Sequence, residues 1–417
     1  MQSLTNLKNI DLSFSRKLKE IPNLSNATNL ETLTLIKCSS LVELPSSISN
    51  LQKLKALMMF GCKMLKVVPT NINLVSLEKV SMTLCSQLSS FPDISRNIKS
   101  LDVGKTKIEE VPPSVVKYWS RLDQLSLECR SLKRLTYVPP SITMLSLSFS
   151  DIETIPDCVI RLTRLRTLTI KCCRKLVSLP GLPPSLEFLC ANHCRSLERV
   201  HSFHNPVKLL IFHNCLKLDE KARRAIKQQR VEGYIWLPGK KVPAEFTHKA
   251  TGNSITIPLA PVAGTFSVSS RFKACLLFSP IEDFPTNDIT CRLRIKGGVQ
   301  INKFYHRVVI LESSKIRTEH LFIFYGDLFS EKIGVDVSTS EILFKFSCRD
   351  KHKIIECGVQ IFKEEAESSS SSSEEEYFDA ESSSNEEEYF DFESSSSSEE
   401  DYFDAESSSR ECWRWRL

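Results

Sequence analysis

Cysteine recurs in this chain at a spacing that could do chemistry. Cys38, Cys62, Cys85, Cys173, Cys194 and Cys215 each stand three residues past an apolar position, and Cys129 stands two past Leu127. A thiolate can bind zinc, form a disulfide or act as a nucleophile. His193, His201, His204 and His213 crowd Cys194 and Cys215, where a mixed zinc set suggests itself. The spacing is irregular, however, and both cysteines belong to the recurring series, so no metal is expected there. Cys172 and Cys173 are adjacent rather than arranged as C-x-x-C, which leaves no redox motif. Gly104-Lys105-Thr106 lacks the glycine five residues earlier that a phosphate-cradling loop requires. No Ser/His/Asp order, paired acids on a helix or glycine-rich cradle stands out, so neither an enzyme nor a cofactor is expected.

The elements that position the cysteines come from a repeat. Each unit fits L-x-x-L-x-L-x-x-C-x-x-L-x-x-L-P, and the apolar residue before the proline position falls at Ile21, Leu44, Val68, Phe91, Val111, Leu135, Ile155, Leu179 and Val200. Successive steps of 23, 24, 23, 20, 24, 20, 24 and 21 residues suit leucine-rich repeats, in which a short strand and a return segment make one coil of a solenoid. Ten strand cores are legible, from Leu7/Ile10/Leu12 to Val207/Leu210/Phe212. The cysteine position is then a buried turn, where a small side chain with weak hydrogen-bonding ability can stack as a ladder. Adjacent rungs would lie roughly 4.8 Å apart, within reach of a disulfide. An odd total of 15 cysteines and an opening MQSLTNLKNIDLS without a basic, then apolar, leader point instead to reduced thiols in the cytoplasm or nucleus. No apolar run approaches membrane-spanning length, so no membrane partner is expected.

Charge divides the chain. Residues 364–417 carry 19 Asp/Glu against three Arg, a net of −16, which leaves residues 1–363 with 52 Lys/Arg against 31 Asp/Glu, a net of +21. The acidic end repeats EEEYFDAESSS, EEEYFDFESSS and EEDYFDAESSS, a composition that predicts a disordered tail. Where the repeats end, Leu218, Ala222, Ala225 and Ile226 form a short helical stripe expected to cap the solenoid. Eight β-branched or aromatic runs follow, at 234–237, 253–259, 272–278, 289–295, 306–311, 320–325, 341–348 and 354–362. The expected architecture is an α/β leucine-rich-repeat solenoid (1–216), a capping helix and linker (217–233), an all-β jelly-roll or Ig-like sandwich (234–363) and the disordered acidic tail (364–417).

The cysteine-bearing repeats with SSLVELPSSI at 39–48, followed by WLPGKKVPAEFTHKATGNSITIPL at 236–259, FKACLLF at 272–278 and CGVQIF at 357–362, resemble the C-terminal half of plant TIR–nucleotide-binding–leucine-rich-repeat disease-resistance receptors. The resemblance implies that repeats and jelly-roll together recognise a pathogen effector or a guarded host protein, alongside other receptor subunits. The TIR and nucleotide-binding domains of such a receptor do not precede Met1, so their activities are not carried over. The exposed ligand face of a solenoid is its concave strand face. There the pattern places Thr32, Thr34, Met58, Phe60, Lys79, Ser81, Asp102, Gln124, Met144, Thr167, Lys171, Phe188, Asn192, Ile211 and His213. Met58, Phe60, Phe188 and Ile211 are expected to be exposed anchors. The alternative is a truncated scaffold or decoy that binds an acidic protein or nucleic acid through its basic body. Aromatic readers do not interleave with those charges, so nucleic acid is the less expected partner.

Overall fold

A computed structural model of the chain describes residues 4–69, 72–132, 135–201, 203, 205–258, 270–280, 287–295, 300–308, 316–328, 341–348 and 353–363. The acidic tail and His204 lie outside these residues. Each coil contributes a short strand, three residues long except in the last coil, whose central side chain turns into the core (half-buried at Ile10, buried in the others) and whose neighbours face the concave side. The series is β1 (Asn9–Asp11), β2 (Thr32–Thr34), β3 (Ala56–Met58), β4 (Lys79–Ser81), β5 (Ser100–Asp102), β6 (Gln124–Ser126), β7 (Met144–Ser146), β8 (Thr167–Thr169), β10 (Phe188–Cys190) and β12 (Val207–Ile211). All pair in parallel and in register. On the convex side run the two-residue strands β9 (Ser178–Leu179) and β11 (Arg199–Val200).

Unequal repeat lengths are absorbed on that convex side. After the repeat prolines the longer coils carry a helical turn, α1 (Ser114–Tyr118), α2 (Asp157–Ile160) or the 3-10 turn Ser46–Asn50, led by Pro113, Pro156 and Pro45. Proline's fixed φ suits a helix start, and its missing N–H costs nothing there. Each turn presses one apolar residue, Val115, Val159 or Ile48, into the core.

The cysteine ladder satisfies backbone carbonyls inside that core. Thiols of Cys38, Cys62, Cys85, Cys129, Cys173, Cys194 and Cys215 donate to the carbonyls of Leu12, Leu35, Met59, Val103, Leu147, Ile170 and Ala191 in the preceding coil, at 2.7–3.3 Å. Thr106 and Ser150 supply the rungs where cysteine is missing, donating to Val103 and Leu147. Every described cysteine is free. Burial pushes the Cys38, Cys129 and Cys158 thiols up, which holds them protonated as donors. The residue before nearly every rung is left-handed: Phe14, Lys37, Gly61, Leu84, Lys105, Phe149, Cys172, His193 and Asn214. That conformation aims the residue's N–H at the next coil, as in Lys37 to the Phe60 carbonyl and Cys172 to that of Asn192, 2.6 and 2.8 Å. Only Cys129 lacks such a predecessor among the described rungs, because its turn is one residue shorter and Glu128 takes that place.

The solenoid does not end at β12. After α3 (Glu220–Gln228) the chain lays β13 (Val231–Pro238) parallel to β12, and β19 (His320–Asp327) continues the sheet antiparallel to β13. Next come β16 (Ser270–Phe278), β21 (Ile354–Lys363) and β14 (His248–Thr251), so one 15-stranded sheet runs from the first repeat to the last strand. A second sheet, β15 (Ser254–Pro258), β20 (Glu341–Cys348), β17 (Asn287–Ile295) and β18 (Gln300–Val308), is ordered β15-β20-β17-β18. Trp236, Phe272, Phe322 and Phe324 from the first sheet share a core with Ile257, Cys291, Phe344 and Phe346 from the second. The other face of the first sheet, through Ile235, Leu237, Cys275, Leu277, Leu321 and Ile323, joins the solenoid core. β14, hidden in the polar run HKAT, adds a ninth strand to the eight expected. Gly252 follows it at φ +86 and turns the chain from one sheet to the other.

The expected capping helix therefore shares its task with β13. Asp219 caps α3 by accepting from the Ala222 N–H at 2.6 Å. Arg223 donates to the Leu216, Leu218 and Pro238 carbonyls, and buried Lys273 of β16 donates to the Lys227 carbonyl at 2.8 Å. An ammonium at the last turn also complements the helix dipole. Beside α3, β13 bulges against β12, and a Cβ on Gly233 would stand 2.6 Å from the Lys208 carbonyl oxygen. No helix among the described residues is long and apolar enough to cross a membrane.

Candidate recognition surface

Strand register turns the concave side into rows. One row reads Thr32, Ala56, Lys79, Ser100, Gln124, Met144, Thr167, Phe188, Leu209 and Tyr234; the next reads Thr34, Met58, Ser81, Asp102, Ser126, Ser146, Thr169, Cys190, Ile211 and Trp236. A third row, just past the strands, holds Phe60, Thr83, Gly104, Glu128, Ser148, Lys171, Asn192 and His213. The rows change character along the solenoid, from threonine and methionine through an acidic centre to an aromatic end.

At the centre, Asp102 accepts the Gly104 N–H at 3.0 Å and Glu128 accepts the Ser146 hydroxyl at 3.0 Å. Gly104, from the GKT triplet, leaves room for both acids: a Cβ there would come within 3.3 Å of each. Burial, helped by the Asp102 charge, pushes the Glu128 carboxyl up to about 7, against the pull of the Ser146 hydroxyl, Lys171 and Lys105.

Of the sequence-assigned residues, Thr32, Thr34, Met58, Phe60, Gln124, Met144, Thr167 and Phe188 are half-buried and Lys79 is exposed. Ser81, Asp102, Lys171 and Asn192 are buried within the face. Ile211 corrects an expectation: read as an exposed anchor, it is 7% exposed and belongs to the core of the two-sheet unit. His213 is 1% exposed, edge-on to Trp236 with ring centres 4.7 Å apart. The reason is the continuing sheet, which lays β13 beside β12 and covers the last coil.

A second contact fastens that junction. His320 accepts the Asn214 N–H at its Nε2 (3.1 Å), and its Nδ1 lies 2.8 Å from the Thr318 carbonyl, an arrangement that suits the Nδ1–H tautomer. Burial holds the imidazole down to about 4, neutral at ordinary pH. The Asn214 side-chain oxygen in turn accepts the Arg317 N–H at 3.3 Å.

Seven of the assigned residues, Met144, Thr167, Lys171, Phe188, Asn192, Ile211 and His213, line a hollow of about 620 Å³ where the concave face meets β13. Sequence reasoning missed its floor residues Tyr234 and Trp236 and its rim, Arg164, Arg166, Glu187 and Lys208. Glu187 is paired with Lys208 at 2.9 Å and Arg166 at 3.4 Å, and the Lys208 ammonium lies 5.8 Å from the Phe188 ring centre. The signal was present in the alternation of VKLLI and YIW, which sets Leu209, Ile211, Tyr234 and Trp236 on one face once the two runs pair.

Comparison with known proteins places these features. The C-JID domain model matches residues 237–368. Disease resistance protein RML1A of Arabidopsis thaliana is 43% identical over 383 residues, covering 88% of this chain and 37% of its own. Disease resistance protein RML1B of the same plant is 39% identical over 388 residues, covering 91% and 36%. Among solved structures, the leucine-rich repeat domain of the type III effector XopL is 18% identical with a TM-score of 0.35, covering 50% of this chain and 69% of that one. The chain thus spans little more than a third of the length of these two curated relatives. With a C-JID domain on its repeats, it is homologous over most of its length to TIR–nucleotide-binding–leucine-rich-repeat disease-resistance proteins and corresponds to the C-terminal region of such a protein.

Proposed function

We propose that this chain is the recognition part of a plant disease-resistance protein, acting in the cytoplasm or nucleus, and that it binds a pathogen effector or a guarded host protein. The reading rests above all on the concave face running without a break into the C-terminal sheet, which gives repeats and C-JID domain a common sheet, with a hollow of about 620 Å³ where the last repeats meet β13. Half-buried Met58, Phe60, Met144 and Phe188 supply apolar area for a protein ligand. We read the facing sheets as a jelly-roll or Ig-like sandwich, the 364–417 tail as disordered, and the chain as a binding module rather than an enzyme.

The test compares partners captured from infected and uninfected leaves by wild-type chain, by Phe60→Asp and Phe188→Asp, and by the convex control Lys66→Asp. Circular dichroism verifies that each variant keeps its secondary structure. Partners specific to infection should be lost by both concave variants and kept by the control. Retention by all three would overturn the reading.

A further inference from the structure

The hollow at the end of the concave face has an apolar floor and a basic rim. Phe188, Leu209, Tyr234 and Trp236 line it, while Arg164, Arg166 and Lys208 stand at the rim with Glu187, the single acid among the lining residues. At 620 Å³ it lies within the roughly 300–1,000 Å³ of ligand-binding pockets. A ligand that suits both features carries an aromatic ring beside a run of carboxylates.

This chain contains that ligand three times. Tyr377-Phe378, Tyr389-Phe390 and Tyr402-Phe403 each follow three consecutive acids. We propose that the hollow is a binding site for an acidic–aromatic peptide and that its resident occupant is the chain's own tail, one ring of a Tyr-Phe pair entering while the preceding acids face the rim.

Geometry permits the contact. β21 ends at Lys363, paired with Ser270 at the edge where β13 begins with Val231, itself paired with Val207 at the start of β12. Arg166 directly precedes β8, and Lys208 is the second residue of β12, so the basic rim lies along the same edge. From β21 across β16, β19 and β13 to β12 is four strand spacings, about 19 Å. The fourteen residues from Glu364 to Tyr377 can extend to about 46 Å. Three copies on one tether raise the local concentration of the motif into the millimolar range, so weak intrinsic affinity suffices. Attraction between rim and acids is screened within about 8 Å at physiological salt, which makes the contact reversible and salt-sensitive. The tail would then be a competitor that a ligand of the concave face must displace.

The inference rests on the concave face being a binding surface. Its test uses only chain and peptide, so its failure leaves effector recognition untouched. The probe is a fluorescein-labelled peptide EEEYFDAESSS, titrated by anisotropy at low ionic strength into two full-length chains: wild type, and one with the six aromatics of the three Tyr-Phe pairs, at 377, 378, 389, 390, 402 and 403, replaced by Ser. The substituted chain should bind at least about tenfold more tightly, because its hollow has no competitor. Adding Arg166→Glu and Lys208→Glu, both on solvent-facing side chains, should abolish that binding while the far-ultraviolet spectrum stays unchanged. Equal affinity of wild-type and tail-substituted chains overturns the proposal. So does equal binding of a peptide with Ser in place of Tyr and Phe, which would reduce the contact to charge. A wild-type dimer that dissolves on tail substitution would place the tail in a second copy and overturn the assignment within one chain.

Discussion

Glu128→Gln is expected to stabilise the protein at neutral and higher pH, with an advantage that fades as pH falls towards 4.5. The carboxyl moves from its ordinary 4.5 to about 7 in the fold because it is buried beside Asp102. A displacement of that size corresponds to about 3 kcal/mol of disfavoured charge. The side chain keeps part of its surface in water, which reduces the measurable effect to about 1–2 kcal/mol. The sign follows from proton binding: with its value raised, the folded state holds a proton that the unfolded chain has already released. Stability from that proton is fully present below pH 4.5 and is lost as pH rises through about 7. Gln cannot ionise, yet its amide oxygen can still accept the Ser146 hydroxyl. Urea midpoints of wild type and Glu128→Gln at pH 4, 7 and 9 should therefore nearly coincide at the first, have parted by most of the final difference at the second and differ only slightly more at the third. A variant that is less stable at pH 9, or whose advantage does not grow with pH, refutes the account of the acidic centre.

Leu57→Asp, which puts a charge into the solenoid core, should cost more than about 4 kcal/mol and unfold the repeats by circular dichroism, whereas Phe60→Asp on the concave face should not. Cys194→Ala deletes a rung and leaves the Ile170 carbonyl without its 2.8 Å donor, so the thermal midpoint should fall by the equivalent of about 1–3 kcal/mol. Gly358→Ala forces a Cβ to 2.5 Å from Val242 and should cost about 1–3 kcal/mol. Gly252→Ala meets open space and should cost only the roughly 1–2 kcal/mol of a left-handed residue. His320, held down to about 4, contributes stability that is present above pH 6.5 and lost as pH falls through about 4; an acid titration of His320→Asn should be flatter than that of wild type in that window.

Where the sequence carried the fold, it did so through periodicity. The L-x-L cores coincide with the ten concave strands, β1 to β8, β10 and β12, because so short a strand leaves its central side chain nowhere to go but inward, and the cysteine rung follows at fixed distance. The prolines, noted only as the end of the repeat, proved to start the convex helical turns. Other features depend on partners far along the chain. Nothing local in VKLLIFH distinguishes Ile211 and His213 from the exposed positions of earlier coils; they are buried because β13 arrives beside them after a helix and a bulge at Gly233. β14 was illegible for the opposite reason: HKAT alternates between half-buried and exposed side chains and depends on pairing with β21. Glu128 showed itself only as a cysteine one residue early. In the fold the shortened turn sets its carboxylate in the concave face, where the neighbouring turns place Gly104 and Ser148.

The continuous sheet has an energetic consequence for recognition. Solenoids usually approximate a chain of units coupled only to their neighbours, and their last unit needs a cap. Here the cap is a two-sheet unit whose first sheet faces two ways: Leu237, Leu277 and Leu321 complete the solenoid core, while Trp236 and Phe322 belong to the second core. Loosening either core removes packing from the other, so the last repeats and β13, β19 and β16 should open together. Lys273 to α3 and His320 to the Asn214 turn add polar ties across the same boundary. A hollow built at that boundary is held by two cores at once, which limits the ordering cost of filling it. A ligand seated on Tyr234 and Phe188 would touch both the last repeats and β13, the strand that joins them to the two-sheet unit.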